Sequence, residues 1–220
     1  MLIMSPSQKE LILLTLRTDL YIHISEMIPG FKIKHKKDSP LMRVLSYILF
    51  FNKGFMNRYV TAMYPEIYVP NWWGKYKNMS FSELGIIAHE YVHLSDRKRM
   101  GWWFNLLYLS PQIFSLLAFG AFWNLWFLTA LLFLLPWPSP GRAYLEYRGH
   151  TMNIAFHYWV KKERCDMDWI VDQFTSSNYY YMFPFRKFLI KQFNKEYDKI
   201  VSGDLTFELK EIQYIIEKRL

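Results

Sequence analysis

From Trp102 to Trp137 the chain carries no Lys, Arg, Asp, Glu or His, and Trp, Phe and Leu dominate. A run of that length and composition is stable in a bilayer or in a dry protein core, and in few other places. It must also bend. Pro111 interrupts it, Gly120 and Asn124 weaken its middle, and Pro136, Pro138, Pro140 and Gly141 close it. Arg97, Lys98 and Arg99 precede it, and Arg142, Arg148, Lys161 and Lys162 follow. Aromatic residues make up 20% of the chain and gather around this stretch, which favours the bilayer.

Just upstream lies His89-Glu90-Tyr91-Val92-His93. Ser80 with Glu83 three residues later forms a capping-box pattern, so a helix is expected from about Phe81 to Lys98. On that helix the two imidazoles lie one turn apart on one face, where both can reach a Zn²⁺ ion at about 2.0–2.1 Å. Glu90 lies beside that face. A carboxylate there can take a proton from a water at the metal and return it to a leaving amine, the role of a general base. Cys165 is the only cysteine, which excludes an intrachain disulfide and thiolate clusters, so the metal ligands come from His, Asp or Glu.

A hydrolytic zinc site needs a third protein ligand and an open fourth position. A second helix is expected from Arg142 to Lys162, and on it Glu146, Gly149, His150, Asn153 and His157 form one polar stripe. Glu146 is the expected third ligand, with His150, His157 and Asp96 as competitors. Gly149 would let this helix approach the first closely. Asp96 suits an acceptor that orients the His93 ring. Tyr91, His150, Arg142 and Arg148 are candidates to stabilise an oxyanion, and His150 is assigned with Glu90 to catalysis.

The remaining segments read as one domain over residues 1–220. Met1 to Leu16 carries Lys9 and Glu10 and reads as no cleaved export signal. A helix is expected from Ser7 to Met27, a basic loop at Lys32 to Lys37, and a short core or interfacial helix from Leu41 to Phe51. Arg58 to Met63 and Glu66 to Val69 read as strands. The tail reads as helices over Asp166 to Phe174, Pro184 to Ile200 and Thr206 to Leu220, punctuated by Ser176-Ser177-Asn178 and Ser202-Gly203-Asp204. A single crossing by the apolar segment would part Glu146 from His89 and His93, so an even number is required. The expected solution is a helical hairpin, with two spans of about 17 residues and a turn near Gly120 to Asn124. Its ends and the zinc would lie on the cytoplasmic side. A re-entrant or monotopic hairpin, or a buried pair in a soluble protein, is the alternative.

His89, Glu90, His93 and Glu146 match the pattern of zincin metallopeptidases. The chain resembles in particular the gluzincin-like, membrane-embedded group that includes CAAX prenyl proteases and bacterial heat-shock membrane proteases. There too an apolar hairpin separates the H-E-x-x-H helix from the glutamate helix, so the likeness runs from about Ser80 to Asn153. The family follows its glutamate with a small residue and an aspartate three and four positions on. Gly149 keeps the first, and His150 stands in place of the second. The whole chain is also similar to short metallopeptidases encoded by phages and bacteria. The resemblance implies an α+β, mostly helical zincin-like domain with a hairpin inserted at 102–138, acting on peptide or membrane-protein substrates. It also implies that Glu66 to Val69 is the edge strand to which an extended substrate adds.

Two other readings compete. A non-catalytic membrane scaffold would close the zinc site with His89, His93, Glu146 and His150. A basic protein, with net charge +8, would bind anionic lipid or nucleic acid through Lys32 to Lys37 and Arg97 to Arg99. No nucleic-acid-binding fold accompanies that charge, so nucleic acid ranks last.

Overall fold

A computed structural model describes residues 6–49, 53–73, 80–177 and 181–220. Phe51, Asn178 and the first five residues of the N-terminal segment lie outside the described residues. The chain is mostly helical with few strands. In order it forms α1 (Pro6–Met27), β1 (Lys32–His35), α2 (Pro40–Ile48), β2 (Thr61–Met63), β3 (Glu66–Val69), α3 (Phe81–Met100), α4 (Trp102–Leu109), α5 (Pro140–Lys161), α6 (Met167–Thr175), α7 (Arg186–Ser202) and α8 (Phe207–Glu217). Two longer 3-10 helices, Gln112–Phe122 and Leu125–Leu134, lie between α4 and α5.

Local chemistry accounts for the starts of α2, α3 and α5. The Ser80 hydroxyl accepts from the Glu83 amide at 3.2 Å, and the Glu83 carboxylate accepts from the Ser80 amide at 2.7 Å. This closes the capping box and nucleates α3. Arg97, Lys98 and Arg99 in its last turn oppose the negative end of the helix dipole, and Gly101, at φ 61°, ends it. Pro40 and Pro140 open α2 and α5, where a missing amide proton removes no helical bond. The middle of α3 is buried on nearly every side, from Leu84 to His93 except Ile86. It is therefore a central helix packed lengthwise on α5, with α1, β2 and α4 around it.

The sheet has the order β1-β3-β2. β1 pairs with β3 in parallel, Lys32 opposite Glu66 and His35 opposite Val69. β2 pairs antiparallel on the other side, Thr61 opposite Tyr68. Two expectations are corrected here. Glu66–Val69 is the central strand, with both sides engaged, and cannot be the edge to which a substrate adds. Lys32–His35 is a strand rather than a basic loop, because Lys32 and Lys34 point outward while Ile33 and His35 turn inward. Lys36, at the end of β1, has no exposed surface. Its ammonium donates to the Phe55 carbonyl at 2.6 Å and sits 4.1 Å above the Phe55 ring. Burial pulls its pKa down to about 8, with the Glu90 charge opposing. It cannot serve a lipid-binding basic patch.

The apolar segment departs from two spans of about 17 residues. Pro111 lacks an amide proton and clashes with the preceding turn, so α4 stops at Leu109 and the chain turns by 90° into the first 3-10 helix. The two 3-10 helices pack against each other. At a rise of about 2.0 Å per residue each is roughly 20 Å long, short of a hydrocarbon core of about 30 Å. Among the described residues no single helix is long and apolar enough to cross a membrane. The main core cluster, built from α1, β3, α3 and α5–α8, takes no residue from Trp102–Trp137. Phe122 and Trp123 at the turn are 91% and 86% exposed.

Candidate metal centre

The packing of α3 on α5 brings His89, His93 and Glu146 together, with every side chain in the group buried. His89 Nε2 and His93 Nε2 are 3.0 Å apart. Glu146 Oε2 lies 3.5 Å from the first and 3.7 Å from the second. A point equidistant from the three atoms in their plane is about 2.0 Å from each, the length of a zinc bond to imidazole nitrogen or carboxylate oxygen. Oε2 is thus ion-paired with both imidazoles, though neither contact has the geometry of a good hydrogen bond. The three side chains compensate one another as ion pairs, and the same three atoms could hold a metal ion in place of the protons.

Gly149 makes the approach possible. A Cβ at that position would fall 2.6 Å from Cε1 and Nε2 of His89, so the imidazole rests directly on the α5 backbone. The Asn153 amide, one turn further along, stands 2.9 Å from His89 Nδ1. The amide nitrogen donates there and also stands 3.4 Å from His150 Nδ1, so Asn153 ties the two imidazoles together. The Tyr108 hydroxyl donates to Glu146 Oε1 at 2.6 Å. Phe104 and Tyr108, four residues apart on α4, set their rings edge-on to His93 at 6.3 and 6.2 Å. The first helix of the apolar segment thus roofs the cluster.

Burial disfavours the charged forms here, and the partners decide the outcome. For Glu146 it would raise the carboxyl pKa, but His93 and His89 outweigh it and hold the group well below its usual range. For His93 it works against the imidazolium, and Glu146 outweighs it, so the ring holds a proton more strongly than a free histidine. Burial raises the Glu90 carboxyl, with His89 and His93 opposing. His150 packs against His89 and Phe174, with ring centres 5.0 and 5.4 Å away. Burial, reinforced by His89, lowers its pKa to about 3, which keeps it neutral.

Glu146, Gly149, His150 and Asn153 gather as the stripe anticipates, while half-buried His157 stays apart from the ligand cluster. The roles expected of Asp96, Arg148, Arg142 and Tyr91 are corrected. Asp96 is fully buried, but its carboxylate accepts from Arg148 at 2.9 Å and Arg99 at 2.6 Å rather than orienting His93, whose Nδ1 has no hydrogen-bond partner among the described residues. Arg148 is held by Asp96 and Glu208, Arg142 donates to the Tyr108 carbonyl, and Tyr91 donates to Glu211. All three are engaged elsewhere than at an oxyanion. Tyr108 went unread as a site residue because it sits in the apolar run, where an aromatic ring signals lipid or core. The i, i+4 spacing of Phe104 and Tyr108 on the face toward His93 is the one local trace of its role.

Comparison of the chain with protein-family models, curated proteins and solved structures found no match in any of the three.

Proposed function

We propose that the protein is a zinc-dependent, membrane-associated metallopeptidase that hydrolyses peptide bonds in membrane or membrane-proximal substrates. The observation that carries this reading is the buried group of His89, His93 and Glu146, converging at zinc-bond distances with Glu90 next in sequence to His89. Those three residues would hold the ion. Zinc supplies Lewis acidity, which lowers the pKa of a water and polarises a carbonyl. Glu90 takes the proton from the attacking water and delivers it to the departing amine. Asn153 holds the His89 ring, and neutral His150 buttresses it from the α6 side.

A closed structural zinc site would recruit a fourth protein ligand. Among the described residues His150 is not in the converging group, which favours an open, hydrolytic site. The uncharged, exposed segment Trp102–Trp137 with basic residues on both flanks supports attachment to a bilayer from the cytoplasmic side.

The test is metal content by mass spectrometry on detergent-purified protein, with hydrolysis of an unstructured protein substrate measured alongside. Wild type is expected to carry about one zinc, lost in His93→Ala and Glu146→Ala. Glu90→Gln is expected to keep the zinc and lose at least roughly 100-fold in hydrolysis. A wild type free of zinc sinks the reading, and Glu90→Gln with full activity removes the mechanism.

A further inference from the structure

The two oxygens of Glu146 are held differently. Oε1 accepts the Tyr108 hydroxyl at 2.6 Å, whereas Oε2 is ion-paired with His89 and His93 at 3.5 and 3.7 Å. Tyr108 itself is fixed on several sides. Its ring stacks on Phe104 at 5.8 Å, with an interplanar angle of 13°, and stands edge-on to His93. Its carbonyl accepts from Arg142 Nε at 2.8 Å. Arg142 and Glu146 are one turn apart on α5, so Tyr108 is clipped to a single face of that helix at both its backbone and its hydroxyl.

We propose that Tyr108 is a positioning residue for the metal centre, holding Oε1 of Glu146 so that the carboxylate ligates through Oε2 alone. The inference rests on the zinc-site reading. A carboxylate free at both oxygens can swing into two-point ligation, which takes up the position that a hydrolytic zinc keeps for water. A donor seated on Oε1 opposes that swing, and hydrogen bonds to ligands of this kind set metal affinity and geometry. The donor comes from α4, which leads directly into the exposed 3-10 pair. The apolar segment therefore controls the coordination of the metal as well as providing an anchor. A shift of α4 away from α5 would release Oε1 and change the ligand set.

The test uses the full chain in detergent, stripped of metal and titrated with Co²⁺, whose visible absorption reports coordination number. Wild type is expected to bind one equivalent. In Tyr108→Phe, which keeps the ring and its contacts, the affinity is expected to fall roughly 10–100-fold. The visible bands should lose intensity as a second carboxylate oxygen enters. A spectrum identical to wild type overturns the role of Tyr108, whatever the affinity does. A wild type that binds no Co²⁺ overturns the zinc-site reading beneath it, so the two failures are distinguishable. Should Tyr108→Phe fail to fold, infrared difference spectra of zinc-loaded against metal-free wild type decide the matter: the carboxylate stretches are expected to show the wide splitting of one-point ligation, and the narrow splitting of two-point ligation overturns the proposal.

Discussion

Gly149 has no side chain at the point where His89 needs room. A Cβ there would meet the imidazole at 2.6 Å, so either the ring or the α5 backbone must move if one is added. Alanine favours a helix over glycine by about 1 kcal/mol, so Gly149→Ala does not weaken α5 locally. The expected result is a protein that retains its helical circular dichroism but binds zinc at well below one equivalent, because His89 Nε2 no longer converges with its partners. Full zinc occupancy in this variant would mean that the close approach is incidental. The same residue-scale logic applies to Asn153, whose amide nitrogen reaches His89 Nδ1 at 2.9 Å.

At the scale of elements, α3, α5 and α8 are joined by an ion network beside the proposed metal centre. Arg148 on α5 binds Asp96 on α3 and Glu208 on α8, and Arg99 also reaches both carboxylates. Asp96 has no exposed surface, so removing a partner leaves a buried charge less compensated, a change that typically costs about 3–5 kcal/mol. Arg148→Ala is expected near the lower end, since Arg99 remains. Denaturant unfolding measures it, and a loss below about 1 kcal/mol would show that the network does not clamp the two site helices. The helices themselves rest on local signals. The Ser80–Glu83 box and the proline-rich exit from the apolar run are readable without any tertiary contact, and the helices begin at Phe81 and Pro140 where starts near Phe81 and Arg142 are expected.

For the molecule as a whole, the unusual feature is an apolar arm outside the core. Phe122, Trp123 and Trp126 at its tip are 91%, 86% and 79% exposed, and no charge lies between Trp102 and Gly141. Exposed apolar area of this kind, bounded by basic residues, is what an interfacial anchor presents to a bilayer. The protein is expected to float with vesicles containing anionic lipid, and a triple change of Phe122, Trp123 and Trp126 to Ser is expected to leave most of it at the bottom of the gradient. Wild-type protein that fails to float would overturn the proposed attachment to a bilayer and would leave the proposed metal site untouched.

The sequence by itself determined the existence of α3 and α5, the pairing of His89 with His93, and the stripe that contains Glu146, Gly149 and Asn153. These follow from spacing along a helix and from caps formed by residues three apart, interactions that need no distant partner. The tertiary structure decided which distant groups meet. Tyr108 became a donor to Glu146 and Asp96 became the partner of Arg148, because each outcome depends on how helices far apart in sequence cross. Strand β1 escaped notice because its lysines mask a two-residue alternation of only four positions, and the central place of β3 depends on pairing with both β1 and β2. Lys36 reads as solvated charge in any local window, and its burial against Phe55 is a matter of packing alone. A chain's short-range periodicities are set by backbone geometry, whereas burial, ligand choice and strand order are set by the cooperative fit of all the elements at once.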